Sequence, residues 1–313
     1  MINIQEIRES VSTQGAKLIY QSLDGLNWKQ VTFKDISSNI DFIISYIASN
    51  KLMNKKVLSM ATNCLESFVL ESSFCSMGNE MTFANTRNIK NINTNKSYEI
   101  VIIDDVEILS TNPKVSELFS SSTEIISINS FQNNSKYNNQ VKSMKNIYKI
   151  GLLSRKNIEG DISDLLKEQK QIEEVEFVNE EGLIKNNPKD FNSILEKYKQ
   201  SFMEIKDNEF STSVYLKEDL FSKCINYLFM TYSRKFTNSK SLTEFLDNAN
   251  EIMPKTLVID NDNLDNLIKI VEDSNEKISD LVGSKVLKII TFNYSNLKNI
   301  KMLQENGLEV VNF

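Results

Sequence analysis

The sequence contains no histidine. No other side chain offers a neutral base with an unperturbed pKa of about 7, so this absence removes Ser-His and Cys-His nucleophilic catalysis and every His-ligated metal site. Cysteine is almost as scarce. Cys64, Cys75 and Cys224 are too few and too irregularly spaced for a disulfide framework or a Cys-rich zinc site. Each falls in an apolar helical pattern, as a small buried thiol does. There are only eight glycines and three prolines, and loops that cradle phosphates need glycine for close backbone approach. Long apolar runs are missing too. Ile100 to Ile103 and Ile289 to Ile290 fall far short of the roughly 20 residues of a membrane helix. Met1 to Ser10 mixes acidic and basic residues with no apolar stretch, so a cytoplasmic protein without a membrane span is expected. Nor is there a surplus of positive charge. The 36 basic and 42 acidic residues are interspersed, with a net charge of −6, and no basic stripe stands ready for phosphates, so nucleic acid is not an expected partner.

What is present is enough apolar material for a sizeable core, 40% of 313 residues, in one large domain or two lobes. Strand and helix signals alternate from end to end, which predicts an α/β fold: two lobes of largely parallel sheet flanked by helices. The first lobe is expected over 1–130 and the second over 140–313. The polar, Asn- and Ser-rich stretch Asn129 to Asn139 is read as an exposed linker between them.

Several elements have local physical warrants. Thr32 can cap a helix with Asp35 three residues on, and Ile36, Ile40, Ile43, Ile44 and Ile47 then recur at helical spacing. A helix from about Cys64 to Met77 closes on Gly78 as its C-terminal cap. Pro188 suits the first turn of a helix that carries Phe191, Ile194, Leu195, Tyr198 and Phe202 inward. Glu218 to Lys235 reads as an aromatic-rich amphipathic helix, either core or acyl-facing surface, with core packing the commoner use of such a stripe.

Carboxylates mark two places where chemistry could gather. Tyr98 to Asp105 is a buried parallel strand that delivers Asp104 and Asp105 to a strand end, where α/β sites often sit. Adjacent strand residues point to opposite faces, which favours a terminus or helix cap over a paired acid and base. Glu180 and Glu181 form an acidic turn; together with Asp104 and Asp105 they could support magnesium, though acidic turns are more often simply solvated.

Residues Val31 to Asn85 carry Thr32-Phe33 opening a helix, a strand at Val57 to Met60, Asn63 in a turn, Glu66 and Phe68 on the next helix, Gly78 at its end and Phe83 in the following strand. In that order they resemble the N-terminal signature of the adenylate-forming superfamily: acyl-CoA synthetases, adenylation domains of peptide synthetases, and luciferases. Glu174 to Asn186 falls where that family has a strand, its phosphate loop and a return strand. Lys285 to Phe313 is similar to the strand, adenine-side loop, helix and strand that lead into a Tyr-Gly-x-Thr-Glu motif.

The resemblance implies ATP, magnesium and an acyl-adenylate, and the departures from it imply their loss. The phosphate loop of the family is rich in Ser, Thr and Gly and ends in Pro-Lys-Gly. The turn here is Asn179-Glu180-Glu181-Gly182, and two carboxylates facing a polyphosphate are repelled. Where the family has small residues against the adenine, this chain has Asn293-Tyr294, and the tyrosine ring is expected to fill the space of the base. The family's small C-terminal domain is not in this sequence. The expected protein is a degenerate, non-catalytic homologue that needs no cofactor and binds a protein partner such as an active ligase or a carrier protein. The alternative is one part of a split ligase, completed by another polypeptide and using ATP and magnesium.

Overall fold

In the computed structural model the described residues run from 4 to 312, excluding 16, 25–26, 63, 85, 93–95, 109–112, 114–115, 118–121, 123, 130–140, 157, 159–160, 168, 170–173, 180–181, 187, 207–208, 215–219, 233, 240 and 275. The chain opens with helix α1 (Ile4–Gln14), a hairpin of β1 (Leu18–Asp24) and β2 (Asn27–Thr32), and helix α2 (Phe33–Ser49). Next come β3 (Lys56–Ser59), α3 (Leu65–Ser76), β4 (Glu80–Ala84), a 3₁₀ turn (Thr86–Asn91), β5 (Ile100–Ile103), β6 (Glu124–Ser127) and β7 (Val141–Ser143). Helices α4 (Met144–Arg155) and α5 (Ile162–Lys167) lead to the hairpin β8 (Val175–Asn179) and β9 (Gly182–Asn186), then α6 (Pro188–Met203), β10 (Phe210–Val214) and α7 (Leu220–Thr231). The remainder is β11 (Lys235–Ser239), α8 (Leu242–Ile252), β12 (Thr256–Ile259), α9 (Asn261–Ser274), α10 (Ile278–Leu281), β13 (Lys288–Thr291), α11 (Leu297–Glu305) and β14 (Glu309–Asn312).

Two seven-stranded sheets result. Sheet A has the order β14-β13-β12-β10-β11-β1-β2 and sheet B the order β7-β6-β5-β3-β4-β8-β9. Each is parallel except for the antiparallel hairpin at one end, β1–β2 in sheet A and β8–β9 in sheet B. Strands β7, β8 and β9 belong with β3 to β6, while β1 and β2 join the strands after residue 210. Sheet membership therefore does not divide at 130–140. That stretch lies outside the described residues, and β6 and β7 on either side of it are neighbours in one sheet.

Strands buried on both faces explain the layering. In β5, Ile100 and Ile102 point into the largest apolar cluster, while Val101 and Ile103 belong to a second. In β12, Val258 joins the largest cluster and Leu257 and Ile259 a third. The shared cluster is the space between the sheets, filled by residues of α1, α2, α3, α6 and α7. Helices α8 to α11 cover the far side of sheet A. Buried on both sides by sheets, α7 is not amphipathic as expected: every described side chain from Phe221 to Met230 is buried. The sequence-derived caps are present. Thr32 and Asp35 form a reciprocal capping box, and Gly78 follows α3 with φ +77°.

Among the described residues no helix is long and apolar enough to cross a membrane.

Candidate functional site

In open α/β sheets, ligands are bound outside the carboxyl ends of the strands, where the direction of winding reverses. In sheet B that point lies between β3 and β5, and in sheet A between β10 and β12.

At the sheet B switch point the segments that follow β3 and β5 are hydrogen-bonded to each other. The backbone N–H of Thr62 donates to both carboxylate oxygens of Asp104 at 2.8 and 3.0 Å, and the Thr62 hydroxyl also donates to Asp104. Asp105 turns away and accepts from the Glu107 N–H at 3.1 Å. Both carboxylates thus serve as terminus and cap; Glu180 and Glu181 lie outside the described residues. Nearby, Cys64 is half-buried at the N-cap of α3, where its sulfur receives the Ser67 N–H at 3.4 Å, and does not sit inside the helix as expected. Cys75 and Cys224 are buried in helices as expected, and burial pushes the Cys75 thiol up to about 12.

At the sheet A crevice the loop after β13, Phe292 to Asn296, is fixed from several sides. Asn293 has φ +50°, a left-handed conformation that asparagine tolerates. Its carbonyl accepts from Asn261 Nδ2 at 3.4 Å. The Tyr294 N–H donates to Asn312 Oδ1, and Asn312 Nδ2 donates to the Tyr294 carbonyl, each at 2.8 Å. The Tyr294 ring packs into the apolar layer outside sheet A, and its hydroxyl bonds Asp265 Oδ1 at 2.5 Å and Asn299 Nδ2 at 2.6 Å. Burial and the Asp265 carboxylate push this hydroxyl up to about 12.

Phe292, not singled out from the sequence, turns toward the space between the sheets. It stacks on Phe221 in the first turn of α7, with centroids 5.1 Å apart and planes 14° from parallel. Tyr198 of α6 completes the cluster at 5.2 Å from Phe221 and 6.3 Å from Phe292. Its buried hydroxyl donates to the Thr291 carbonyl at the end of β13, at 3.0 Å. The signal was available: Phe292 shares the strand parity of Ile290, whose side chain faces the space between the sheets.

The hairpin β8–β9 stands at the end of sheet B. Asn179 pairs with Gly182, so the connection is the two residues 180 and 181 alone. Gly182 has φ +130°, a conformation closed to side-chain-bearing residues, which is why glycine occupies this position. Below the turn Glu176 is engaged rather than free. It accepts from Lys96 Nζ at 2.5 Å and from the Thr82 hydroxyl at 2.7 Å. Burial acts to raise its carboxyl, but these bonds prevail and hold it below the usual range.

No family model matches the sequence, and no curated protein matches it. Solved structures do. The luciferase-like enzyme from the nonluminescent mealworm Zophobas morio superposes with a TM-score of 0.68 at 14% identity, covering 98% of this chain and 70% of that one. Coronafacic acid ligase from Pectobacterium brasiliense gives 0.72 at 13% identity, covering 100% and 60%. The A-PCP didomain of carboxylic acid reductase from Segniliparus rugosus, in complex with AMP, gives 0.72 at 10% identity, covering 98% and 51%. This chain has the fold of the N-terminal domain of adenylate-forming enzymes. It spans 60% of the length of the ligase and 51% of that of the reductase.

Proposed function

We propose that this protein is a degenerate, non-catalytic homologue of the AMP-dependent synthetases and ligases, acting as a binding or scaffold partner in an acyl-activation or biosynthetic pathway. The observation that carries this reading is the aromatic packing beside the end of β13, where the rings of Tyr198, Phe221 and Phe292 pack on one another. ATP held in the manner of the family does not fit the residues present. The phosphate-loop hairpin is reduced to a two-residue connection whose residues are Glu180 and Glu181, and these would repel a polyphosphate. Asn293 and Tyr294 are both spent on holding their own loop. No catalytic residue is assigned.

Calorimetric titration of the protein with ATP at millimolar magnesium tests this directly. Flat heats are expected, and saturable binding would sink the non-catalytic reading.

The second reading is a split acid ligase that forms an acyl-adenylate from ATP and magnesium once another polypeptide supplies the remaining motifs. One observation favours a protein partner: β9 is an edge strand that exposes Leu183 and Ile184, at 45% and 44% of their full accessibility. Co-purification followed by a pyrophosphate-release assay discriminates between the readings: release that requires both polypeptides establishes the split ligase.

A further inference from the structure

Between the two sheets, in the middle of the apolar layer, lies a charged pair. Lys223 Nζ of α7 donates to Glu71 Oε2 of α3 at 2.6 Å, and both side chains are only 2% exposed. The other Glu71 oxygen accepts from the Ser59 hydroxyl of β3 at 2.5 Å. The ammonium also stands 4.9 Å from the centroid of the Phe83 ring of β4. Thus Ser59, Glu71 and Phe83 come from elements of sheet B or packed on it, while Lys223 belongs to the helix that follows β10 of sheet A. The two partners are 152 residues apart in sequence.

We propose that Glu71 and Lys223 form a register lock between the two sheet-bearing halves, selecting one placement of α7 on α3. The surfaces that meet around the pair are apolar, with Phe68 and Phe74 of α3 and Ile225, Leu228 and Phe229 of α7 in the same cluster. Apolar surfaces of similar shape can pack in more than one offset at little difference in energy. An ion pair cannot. Any slip of α7 along α3 leaves an ammonium and a carboxylate buried without each other, and uncompensated buried charge is among the most destabilising arrangements a core can hold. A buried pair contributes little net stability against well-packed apolar residues, because desolvation offsets the attraction. Its effect lies in penalising every placement but one. Ser59 and Phe83 extend the selection to the strands beneath, since the carboxylate and the ammonium each have a second partner at a fixed position.

The test compares single and paired replacements in the full chain, by urea denaturation and hydrogen exchange resolved by segment. K223M and E71Q each strand one partner, and both are expected to lower the denaturation midpoint or abolish folding. The paired variant E71L/K223M is expected to recover a midpoint at or above the native one. Its α3 and α7 amides should nevertheless exchange at least tenfold faster than in the native protein, with α8 to α11 unchanged. Native midpoints in both single variants would overturn the lock. So would native exchange rates in α3 and α7 of the paired variant. A paired variant that fails to fold would overturn it as well, because the pair would then supply net stability rather than choose a register.

Discussion

Phe221 and Phe292 stack face to face at 5.1 Å, joining the first turn of α7 to the residue that follows β13. Phe221 is buried and Phe292 only partly so. Removing the first ring leaves a cavity among packed aromatics, so Phe221→Ala is expected to cost about 3–5 kcal/mol. Phe292→Ala should cost less, about 2 kcal/mol, because part of that ring already meets solvent. The double variant should cost about 0.5–1.5 kcal/mol less than the sum, the coupling of an aromatic pair. Denaturant unfolding of the four proteins measures all three values, and strict additivity would count against a cooperative plug.

A second relationship is set by glycine. A Cβ at Gly151 would lie 2.0 Å from the Phe42 carbonyl oxygen and 2.6 Å from its carbon, both backbone atoms of α2. No rotamer change relieves such a contact, and α2 and α4 must separate. Gly151→Ala is therefore expected to cost about 3 kcal/mol or more. Gly307 offers the comparison: a Cβ there meets nothing within 4 Å, but φ is +82°. Gly307→Ala should cost only the backbone strain, about 1 kcal/mol. Thermal unfolding of the two variants ranks them.

The cap of α2 makes a prediction in pH. Thr32 donates to Asp35 Oδ2 through its hydroxyl at 2.6 Å and its N–H at 2.9 Å, and these bonds hold the Asp35 carboxyl below its ordinary value of 3.8. Glu99 is likewise held below 4.5, chiefly by Lys55. A carboxyl whose folded pKa is depressed contributes stability that is fully present above its unfolded pKa and lost as pH falls through the folded one. Both contributions should therefore be constant near neutrality and decline below pH 4.5. Thr32→Val should raise the Asp35 titration midpoint followed by NMR, and should cost about 1 kcal/mol as a lost cap. An unchanged midpoint would refute the assignment of the shift to Thr32.

At the sheet B crevice, Asp104→Ala removes the acceptor for the Thr62 N–H and hydroxyl. These donors are part-buried, so losing their partner should cost about 1–2 kcal/mol, while Thr62→Val removes only the hydroxyl bond and should cost about 1 kcal/mol. Urea midpoints for the two variants provide the check. Because Asp104 is engaged in this way, neither variant should alter any magnesium response of the protein, read as the shift in midpoint on adding the ion.

Legibility from sequence followed the chemistry of each strand. Val57 to Ser59, Ile100 to Ile103 and Thr256 to Ile259 are runs of apolar, often β-branched residues, and strands buried on both faces read that way. β10 and β11 were missed because Phe-Ser-Thr-Ser-Val and Lys-Phe-Thr-Asn-Ser lack that signature. Some of their polar contacts form only once the strands lie side by side, as where the Ser213 hydroxyl donates to Asn238 Oδ1 at 2.5 Å. In the crevice of sheet A, Asn293 and Tyr294 were singled out by position in a resemblance. Which ring turned inward was set by the pleat and by the hydrogen bonds of Asp265 and Asn299.

By itself the sequence determined the α/β class, the caps of α2 and α3, the exclusion of histidine chemistry and the acidic character of the 179–182 turn. These depend on residue types and short spacings, and neighbours in sequence act on one another whatever the rest of the chain does. Only the tertiary structure decided which strands share a sheet, that Phe292 packs between the sheets while Tyr294 packs outside sheet A, and that Lys223 meets Glu71 inside the core. Those outcomes depend on contacts between segments up to 152 residues apart. Burial sets their energies, since a charge or a ring costs little in an unfolded chain and much in a core that does not match it.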